Sequence, residues 1–218
     1  MQVSGKKHHL LLISAFRQES SIILEDYSYS HIKALQKYHL FQLDDRPISL
    51  LELGKISPLD QDTLETVIRQ INPVFIINFG ICGGLTDGVK LHQNYLITHL
   101  KHHDTAEIIL SLPSDLLKTD LTTIFQAARL FSAEEPVLDK SKRHGIWKSS
   151  GCELVDLEGY FIGHIARKLD IPLIMLKQVS DYADHHAKQM IKNHVRTWKN
   201  ALKQGLHEIL KLIEQTEI

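Results

Sequence analysis

The sequence predicts an α/β fold, a three-layer α/β/α sandwich with a mixed central sheet. Three continuous apolar runs, at 9–14, 74–79 and 172–176, have the length and composition of strands that are buried on both faces. Segments with helical spacing separate these runs, and neither a repeat nor a flexible linker interrupts the alternation. Strands that alternate with helices are typical of one layered domain, which we expect to span residues 1–218.

The remaining elements follow from local patterns. The first strand is expected to end in the polar stretch 16–21, and the strand at 74–79 in a glycine turn, Gly80–Gly84. A strand that runs into a glycine turn indicates a ligand at the carboxyl edge of a parallel sheet. Further strands are predicted at 38–44, 47–53, 94–98, 108–112 and 154–155. Helices are predicted at 60–71, 116–130, 157–169 and 187–214, and 132–150 is expected to be a loop with one short helix.

Composition excludes several classes of partner. With 43% hydrophobic and 23% charged residues and a formal net charge of -1, the chain has no overall attraction for nucleic acid or anionic lipid. The apolar run at Leu10–Ile13 is too short for a signal peptide or a membrane span. The two cysteines, Cys82 and Cys152, cannot build a disulfide framework. We therefore expect a cytoplasmic protein that binds neither nucleic acid nor membranes.

Three acidic residues lie after or near the ends of predicted buried strands. These are Glu19, Glu158 and Asp181. Because strand ends converge at one edge of a parallel sheet, carboxylates that are distant in sequence can share one pocket. Taken singly, each acid also fits a structural role at a helix N-terminus.

Taken together, the motifs resemble one family. The segment 13–19, Ile-Ser-Ala-Phe-Arg-Gln-Glu, resembles the first strand and acidic turn of methylthioadenosine and S-adenosylhomocysteine nucleosidases. The segment 75–85 is similar to the strand and Gly-x-x-Gly-Gly turn of the wider nucleoside phosphorylase and nucleosidase superfamily. The segment 155–158 resembles its ribose motif, and 176–181 its Ser-Asp base-binding motif. The order and spacing agree from Leu10 to about Asp184.

The resemblance implies a role for each acid. Asp181 would be the general acid that donates a hydrogen bond or a proton to N7 of a purine-like base. Glu158 would accept hydrogen bonds from the ribose hydroxyls, and Glu19 would position and deprotonate the attacking water. The resemblance also implies substrate contacts from Asp156, Leu157, Ser180, Ile81, Cys82, Gly83 and Val137.

The resulting expectation is a nucleosidase that hydrolyses the N-glycosidic bond of a purine nucleoside. A phosphorylase on the same fold is the alternative, because Arg17 lies in the same turn as Glu19 and could bind phosphate. Ile81 and Cys82 stand where nucleosidases usually have small residues, and Lys177 stands where an arginine is common. These departures leave open a nucleoside-binding protein that has lost turnover.

Neither a metal nor an organic cofactor is expected. Adjacent histidines such as those at 102–103 and 185–186 rarely point at one ion from a strand or helix, and no His-Glu-x-x-His arrangement occurs. Cys82 has no sequence partner that would indicate a catalytic cysteine, so a small buried side chain is the simpler interpretation. The resemblance further implies a homodimer in which a neighbouring chain helps to close the pocket around the 5′ group.

Overall fold

The computed structural model of the protein describes residues 9–35, 37–54, 60–111 and 121–215. Its strands are β1 (Leu10–Ser14), β2 (Tyr29–Leu35), β3 (Tyr38–Leu43), β4 (Ile48–Glu52), β5 (Phe75–Gly84), β6 (Asn94–Lys101), β7 (Ile108–Ile109), β8 (Gln126–Ser132), β9 (Leu154–Asp156) and β10 (Leu173–Asp181). Its helices are α1 (Arg17–Leu24), α2 (Gln61–Ile71), α3 (Leu121–Ile124), α4 (Lys140–Ser150), α5 (Gly159–Lys168), α6 (Ala187–Asn193) and α7 (Val195–Gln215).

All ten of these strands belong to one mixed sheet. The strand β5 pairs in parallel with β1 and β10 and antiparallel with β9. Because β10 also pairs with β6, β6 with β8, and β8 with β9, these five strands close into a ring. On the other side of β5 the order continues through β1, β4, β3 and β2. The mixed sheet predicted from the sequence is confirmed.

Helices cover both faces of the sheet. On one face α1 and α7 bury apolar side chains such as Ile22, Leu202 and Leu206 against the strands. On the other face α2 and α5 do the same with side chains such as Leu64 and Ile165. This gives the three-layer α/β/α arrangement that the alternating pattern predicted. Among the described helices, none combines the length with the apolar character that crossing a bilayer would require.

The first strand ends at Ser14, as predicted, and the polar stretch after it forms a helix that was not predicted. The helix α1 begins after Phe16, whose backbone N–H donates to the Glu19 side chain in the first turn. Ile22, Ile23 and Leu24 are buried. This helix holds Glu19 at the end of β1, where the functional site lies.

The helix predicted at 116–130 is also wrong where the structure describes it. Residues 112–120 lie outside the described residues, as does the end of the strand predicted at 108–112. Helix α3 covers only Leu121–Ile124, and the chain then forms β8 at Gln126–Ser132. Pairing with β6 on one side and β9 on the other holds this segment as an interior strand.

Three further segments differ from the predictions. The strand β5 continues through Gly84, because β10 and β9 still pair with the glycine segment that was predicted as a turn. The long terminal helix is two helices, α6 and α7, that meet at His194. The segment 132–150 contains a longer helix than expected, α4 over Lys140–Ser150. The strands predicted at 38–44, 47–53 and 172–176 are confirmed.

Candidate functional site

A pocket of about 200 Å³ lies where β5, β9 and β10 meet. The parallel strands β5 and β10 both end here, which agrees with the expected position at the carboxyl edge of the sheet. Nine of the residues expected to contact substrate or to act on it line this pocket: Ile81, Cys82, Gly83, Val137, Asp156, Leu157, Glu158, Ser180 and Asp181. The structure therefore brings together residues from three separate motifs and Val137 from outside them.

Asp181 ends β10 and is 5% exposed. Its Oδ1 accepts a hydrogen bond from Ala183 N at 2.7 Å, and its Oδ2 accepts one from Ser180 Oγ at 2.7 Å. Burial raises the pKa of the Asp181 carboxyl, aided by the negative charge of Asp184 and opposed by the two hydrogen bonds. A carboxyl group with a raised pKa retains its proton at higher pH, as a general acid must.

Glu158 follows β9 and contacts a buried lysine. The Nζ of Lys177 lies 2.6 Å from Glu158 Oε1 and 2.9 Å from Asp156 Oδ2. All three residues are buried, and the side chain of Lys177 has no exposed surface. One ammonium group thus bridges two carboxylates at the floor of the pocket.

Burial and the charges of Lys177, Asp156 and Glu158 explain the pKa shifts of Lys177 and Glu158. Burial disfavours the charged form of Lys177, but Asp156 and Glu158 outweigh it and raise the pKa of Lys177 above its ordinary value. Burial and the neighbouring Asp156 raise the pKa of Glu158 to about 8, although Lys177 opposes the shift. Because one cation balances only one carboxylate, the second carboxylate retains a proton near neutral pH.

Asp156 is held by more groups than Lys177 alone. Its Oδ1 accepts a hydrogen bond from Ser132 Oγ at 2.6 Å, and its Oδ2 accepts one from Gly159 N at 3.0 Å. Ser132 Oγ in turn accepts a hydrogen bond from Tyr160 N at 2.7 Å. Although Asp156 lines the pocket, these contacts fix its carboxylate as a support for Lys177 and for the first turn of α5.

Glu19 lies beneath the pocket rather than on its wall. Its Oε2 accepts hydrogen bonds from Ala15 N at 2.9 Å and Phe16 N at 3.0 Å, and its Oε1 accepts one from Ile81 N at 2.8 Å. Burial raises the pKa of the Glu19 carboxyl, opposed by Lys177 and by these three N–H donors. A glycine is required at position 80, since a Cβ there would lie 2.7 Å from Glu19 Oε1.

Arg17 and Lys188 are basic residues near the pocket, but only one of them lines it. Arg17, the sequence candidate for a phosphate ligand, is turned away: its guanidinium lies 3.7 Å from Glu52 and 5.1 Å from the centre of the Phe41 ring. Among the described residues that line the pocket, Lys188 on α6 is the only lysine or arginine. No arginine or lysine therefore faces the pocket from the β1 end in the part of the chain that the structure describes.

Cys82 is 3% exposed, and burial raises the pKa of its thiol well above the ordinary value. A thiol in this state forms little thiolate, so the side chain acts as a small apolar part of the pocket wall. Its carbonyl accepts a hydrogen bond from Ser180 Oγ at 3.2 Å.

Several residues of this site were not predicted from the sequence. Phe16 and Lys188 line the pocket, and Ser132 supports Asp156 from β8. Lys177 was noted only as a departure from the family pattern. A lysine within the otherwise apolar run of β10 is itself a signal, because a buried charge requires a partner.

The fold and the pocket together define a class of protein. The family model described as the phosphorylase superfamily matches residues 9–214, and the chain belongs to this family. The family predicted from the collinear motifs is thus confirmed.

The relatives within this family are nucleosidases. The 5′-methylthioadenosine/S-adenosylhomocysteine nucleosidase of Buchnera aphidicola is 22% identical over 211 residues, which cover 86% of this chain and 83% of the relative. A mutant nucleosidase of this type from Helicobacter pylori, with 5′-methylthioadenosine in its active site, superimposes with a TM-score of 0.81 at 16% identity, over 94% of this chain and 98% of that one.

A second solved structure has a different activity in its name. A mutant futalosine hydrolase of Helicobacter pylori superimposes with a TM-score of 0.82 at 15% identity, covering 94% of this chain and 99% of that chain. At these identities the structural similarity establishes the fold.

Proposed function

We propose that the protein hydrolyses the N-glycosidic bond of a purine nucleoside, with substrates of the 5′-methylthioadenosine and S-adenosylhomocysteine type. The observation that carries this proposal is that Glu158 and Asp181, from two separate motifs, line one pocket, while Glu19, from a third motif, accepts a hydrogen bond from the pocket residue Ile81. The named activity of relatives such as the Buchnera nucleosidase supports the choice of substrate class.

Asp181 is proposed as the general acid on the base. Hydrolysis leaves a negative charge on the departing purine, and a proton or a hydrogen bond at N7 stabilises that charge. Its raised pKa and its position on the pocket wall support this role. Ser180 and Ala183 hold the carboxyl in one orientation.

Glu158 and Leu157 are proposed to contact the ribose. The Oε1 of Glu158 is held by Lys177, so the carboxyl group is positioned before substrate arrives. A hydrogen bond from a ribose hydroxyl to Glu158 would strengthen as the sugar gains oxocarbenium character. Leu157 supplies an apolar surface beside it, and Ile81, Cys82, Gly83 and Val137 are proposed to complete the wall.

Glu19 is proposed to activate the attacking water. Its buried carboxylate accepts a hydrogen bond from the main chain of Ile81, which lines the pocket, and a raised pKa makes it a stronger base while it remains ionised. Phosphorolysis would require cationic or amide donors for phosphate, and Arg17 contacts Glu52 and Phe41 instead. Hydrolysis is therefore favoured over phosphorolysis.

We also propose a homodimer and a cytoplasmic location. Phe16 lines the pocket and is 43% exposed, so one end of the pocket presents an apolar surface that a second copy could cover. Cys82 and Cys152 are free and buried, which fits a reducing compartment. Light scattering on the purified protein would test the dimer, and a mass of one chain would contradict it.

The variant Asp181→Asn tests the acid role. Asparagine keeps the shape of the side chain but has no ionisable proton, so turnover should fall by roughly 10²- to 10⁴-fold while nucleoside binding persists. Release of free base and retention of a nucleoside ligand would be measured on the same preparation.

Asp184→Asn is the matched control. Asp184 is similarly buried and three residues away, but its Oδ1 accepts a hydrogen bond from His186 N and it does not line the pocket. Its charge is the smallest of the causes that shift the pKa of Asp181. We expect its turnover to stay within a few-fold of the parent. An Asp181→Asn protein that turns over at the parent rate would show that another group protonates the base.

A further inference from the structure

Outside the nucleoside pocket, two adjacent histidines and a glutamate meet beside a cavity of about 720 Å³. His102 and His103 follow β6, and Glu134 follows β8. One ring nitrogen of each histidine and one carboxylate oxygen of Glu134 lie within 4.8 Å of one another. None of these three residues lines the nucleoside pocket.

A tight turn brings the two histidine rings together. Thr105 N donates to His102 O at 2.9 Å, which closes a turn with His103 in its first central position. His103 has a left-handed φ of 39°, which is uncommon for a residue other than glycine. The two ring centres are 4.6 Å apart, whereas consecutive side chains of a strand point to opposite faces. The sequence argument against adjacent histidines as ligands therefore does not apply to this turn.

One ring nitrogen of His102 is hydrogen-bonded to a main-chain carbonyl, as is common for metal-binding histidines. Its Nδ1 lies 2.7 Å from the carbonyl oxygen of Ser132. Because a carbonyl can only accept, Nδ1 carries the proton, and the lone pair of the neutral ring is on Nε2. The ring is 9% exposed and lies 5.0 Å from Phe161 and 5.5 Å from Tyr160, measured between ring centres. A hydrogen bond from the distal nitrogen to a carbonyl is the usual support for a histidine ligand.

We propose that His102, His103 and Glu134 form a binding site for a divalent transition metal ion, with Zn²⁺ as the reference ion. Two imidazole nitrogens and one carboxylate oxygen are a donor set that suits zinc, and the open cavity leaves room for water ligands. Asp104 and Glu135 line the same cavity, as do Lys101 and Lys142, so that with Glu134 the carboxylates outnumber the lysines by one. This proposal is independent of the proposed hydrolysis.

The distances are compatible with this ion. Tetrahedral zinc with bonds of about 2.0–2.1 Å requires donor atoms about 3.4 Å apart. His103 Nε2 and Glu134 Oε1 are 3.8 Å apart, and their side chains are 56% and 60% exposed. Small rotations of these two side chains, with His102 fixed, would complete the geometry.

Zinc titration of the chelator-treated full-length protein, in competition with a chromophoric chelator, tests the site. We expect saturable binding of one Zn²⁺ per chain. His103→Asn and Glu134→Gln should each weaken binding at least about tenfold. Asparagine is chosen at position 103 because it tolerates the left-handed backbone. Both side chains are more than half exposed, but the His103 ring also lies edge-on to the buried ring of Phe131 at 5.6 Å, so circular dichroism would check that each variant is folded.

His185→Ala is the matched control for an adjacent histidine pair. The rings of His185 and His186 are 3.8 Å apart, but the structure places no third metal ligand beside them among the described residues. The zinc affinity of His185→Ala should equal that of the parent. Absence of saturable binding by the parent, or parental affinity in both His103→Asn and Glu134→Gln, would overturn the proposal.

Discussion

Glu19 and Glu158 are both buried carboxyl groups near one pocket, but the protein holds them by different means. Three backbone N–H groups hold Glu19, from Ala15, Phe16 and Ile81. Among the described residues, Glu158 has only one backbone donor, Leu157 N at 3.3 Å, and its short contact is with a side-chain cation, Lys177, at 2.6 Å. Backbone donors persist whichever side chains surround them, whereas the position and charge of Glu158 depend on Lys177 and, through it, on Asp156. The main chain therefore fixes Glu19, whereas one substitution at Lys177 would remove the strongest contact of Glu158.

The largest expected effect comes from Glu19→Gln, which removes the proposed base. An amide also presents N–H groups toward backbone donors, so one or more of the three hydrogen bonds would be lost. Turnover should fall by roughly 10²- to 10⁴-fold. Steady-state kinetics with a nucleoside substrate would measure this loss, with the folded fraction determined by circular dichroism. Hydrolysis at the parent rate by a folded variant would remove Glu19 from the mechanism.

Lys177→Met tests how Glu158, the other carboxylate of the comparison, is held. Without the ammonium group, Asp156 and Glu158 would remain buried next to each other with no cation between them. Removing one partner of a buried ion pair typically costs about 3–5 kcal/mol of unfolding free energy. Urea denaturation measures this loss.

Lys168→Met is the control for that change. Lys168 also contacts a glutamate, with Nζ 2.6 Å from Glu65 Oε2, but its side chain is 52% exposed. We expect a loss of at most about 1 kcal/mol. Equal losses for the two lysines would contradict the central position of Lys177.

The titration of Glu158 should make stability depend on pH. Its pKa is about 8 in the folded protein against 4.5 as the ordinary value, so the folded state holds a proton that the unfolded state has lost between these pH values. Its contribution to stability is complete below about pH 4.5 and declines as the pH rises to about 8. Urea midpoints of the parent and Glu158→Gln should therefore converge or cross as the pH rises. A pH-independent difference between the two proteins would contradict this interpretation.

The strands that the sequence predicted best are those with buried side chains on both of their faces. The strands β1, β5 and β10 consist almost entirely of buried residues, so their apolar runs are continuous and unambiguous. The strand β2 was missed because its described side chains, at 29–32, are exposed and give no apolar pattern. Helix α1 was missed because Phe16 precedes it rather than a typical capping residue.

The acids of the site could be predicted, but their partners could not. Glu19 and Glu158 follow strands and Asp181 ends one, and strand ends converge in this type of fold. Ser132 is the last residue of β8, but this segment was predicted as a loop after a helix. Its contact with Asp156 could therefore not be predicted. The pairing of Lys177 with two carboxylates depends on the closure of five strands into a ring, which no local pattern encodes.

The most direct test of the proposed hydrolysis is to incubate the protein with adenosine, inosine, 5′-methylthioadenosine and related nucleosides, with and without phosphate. Mass spectrometry would identify both the base and the sugar product. The account predicts release of free purine and a free ribose derivative at a rate that does not depend on phosphate. Release that requires phosphate and yields a ribose 1-phosphate would contradict it.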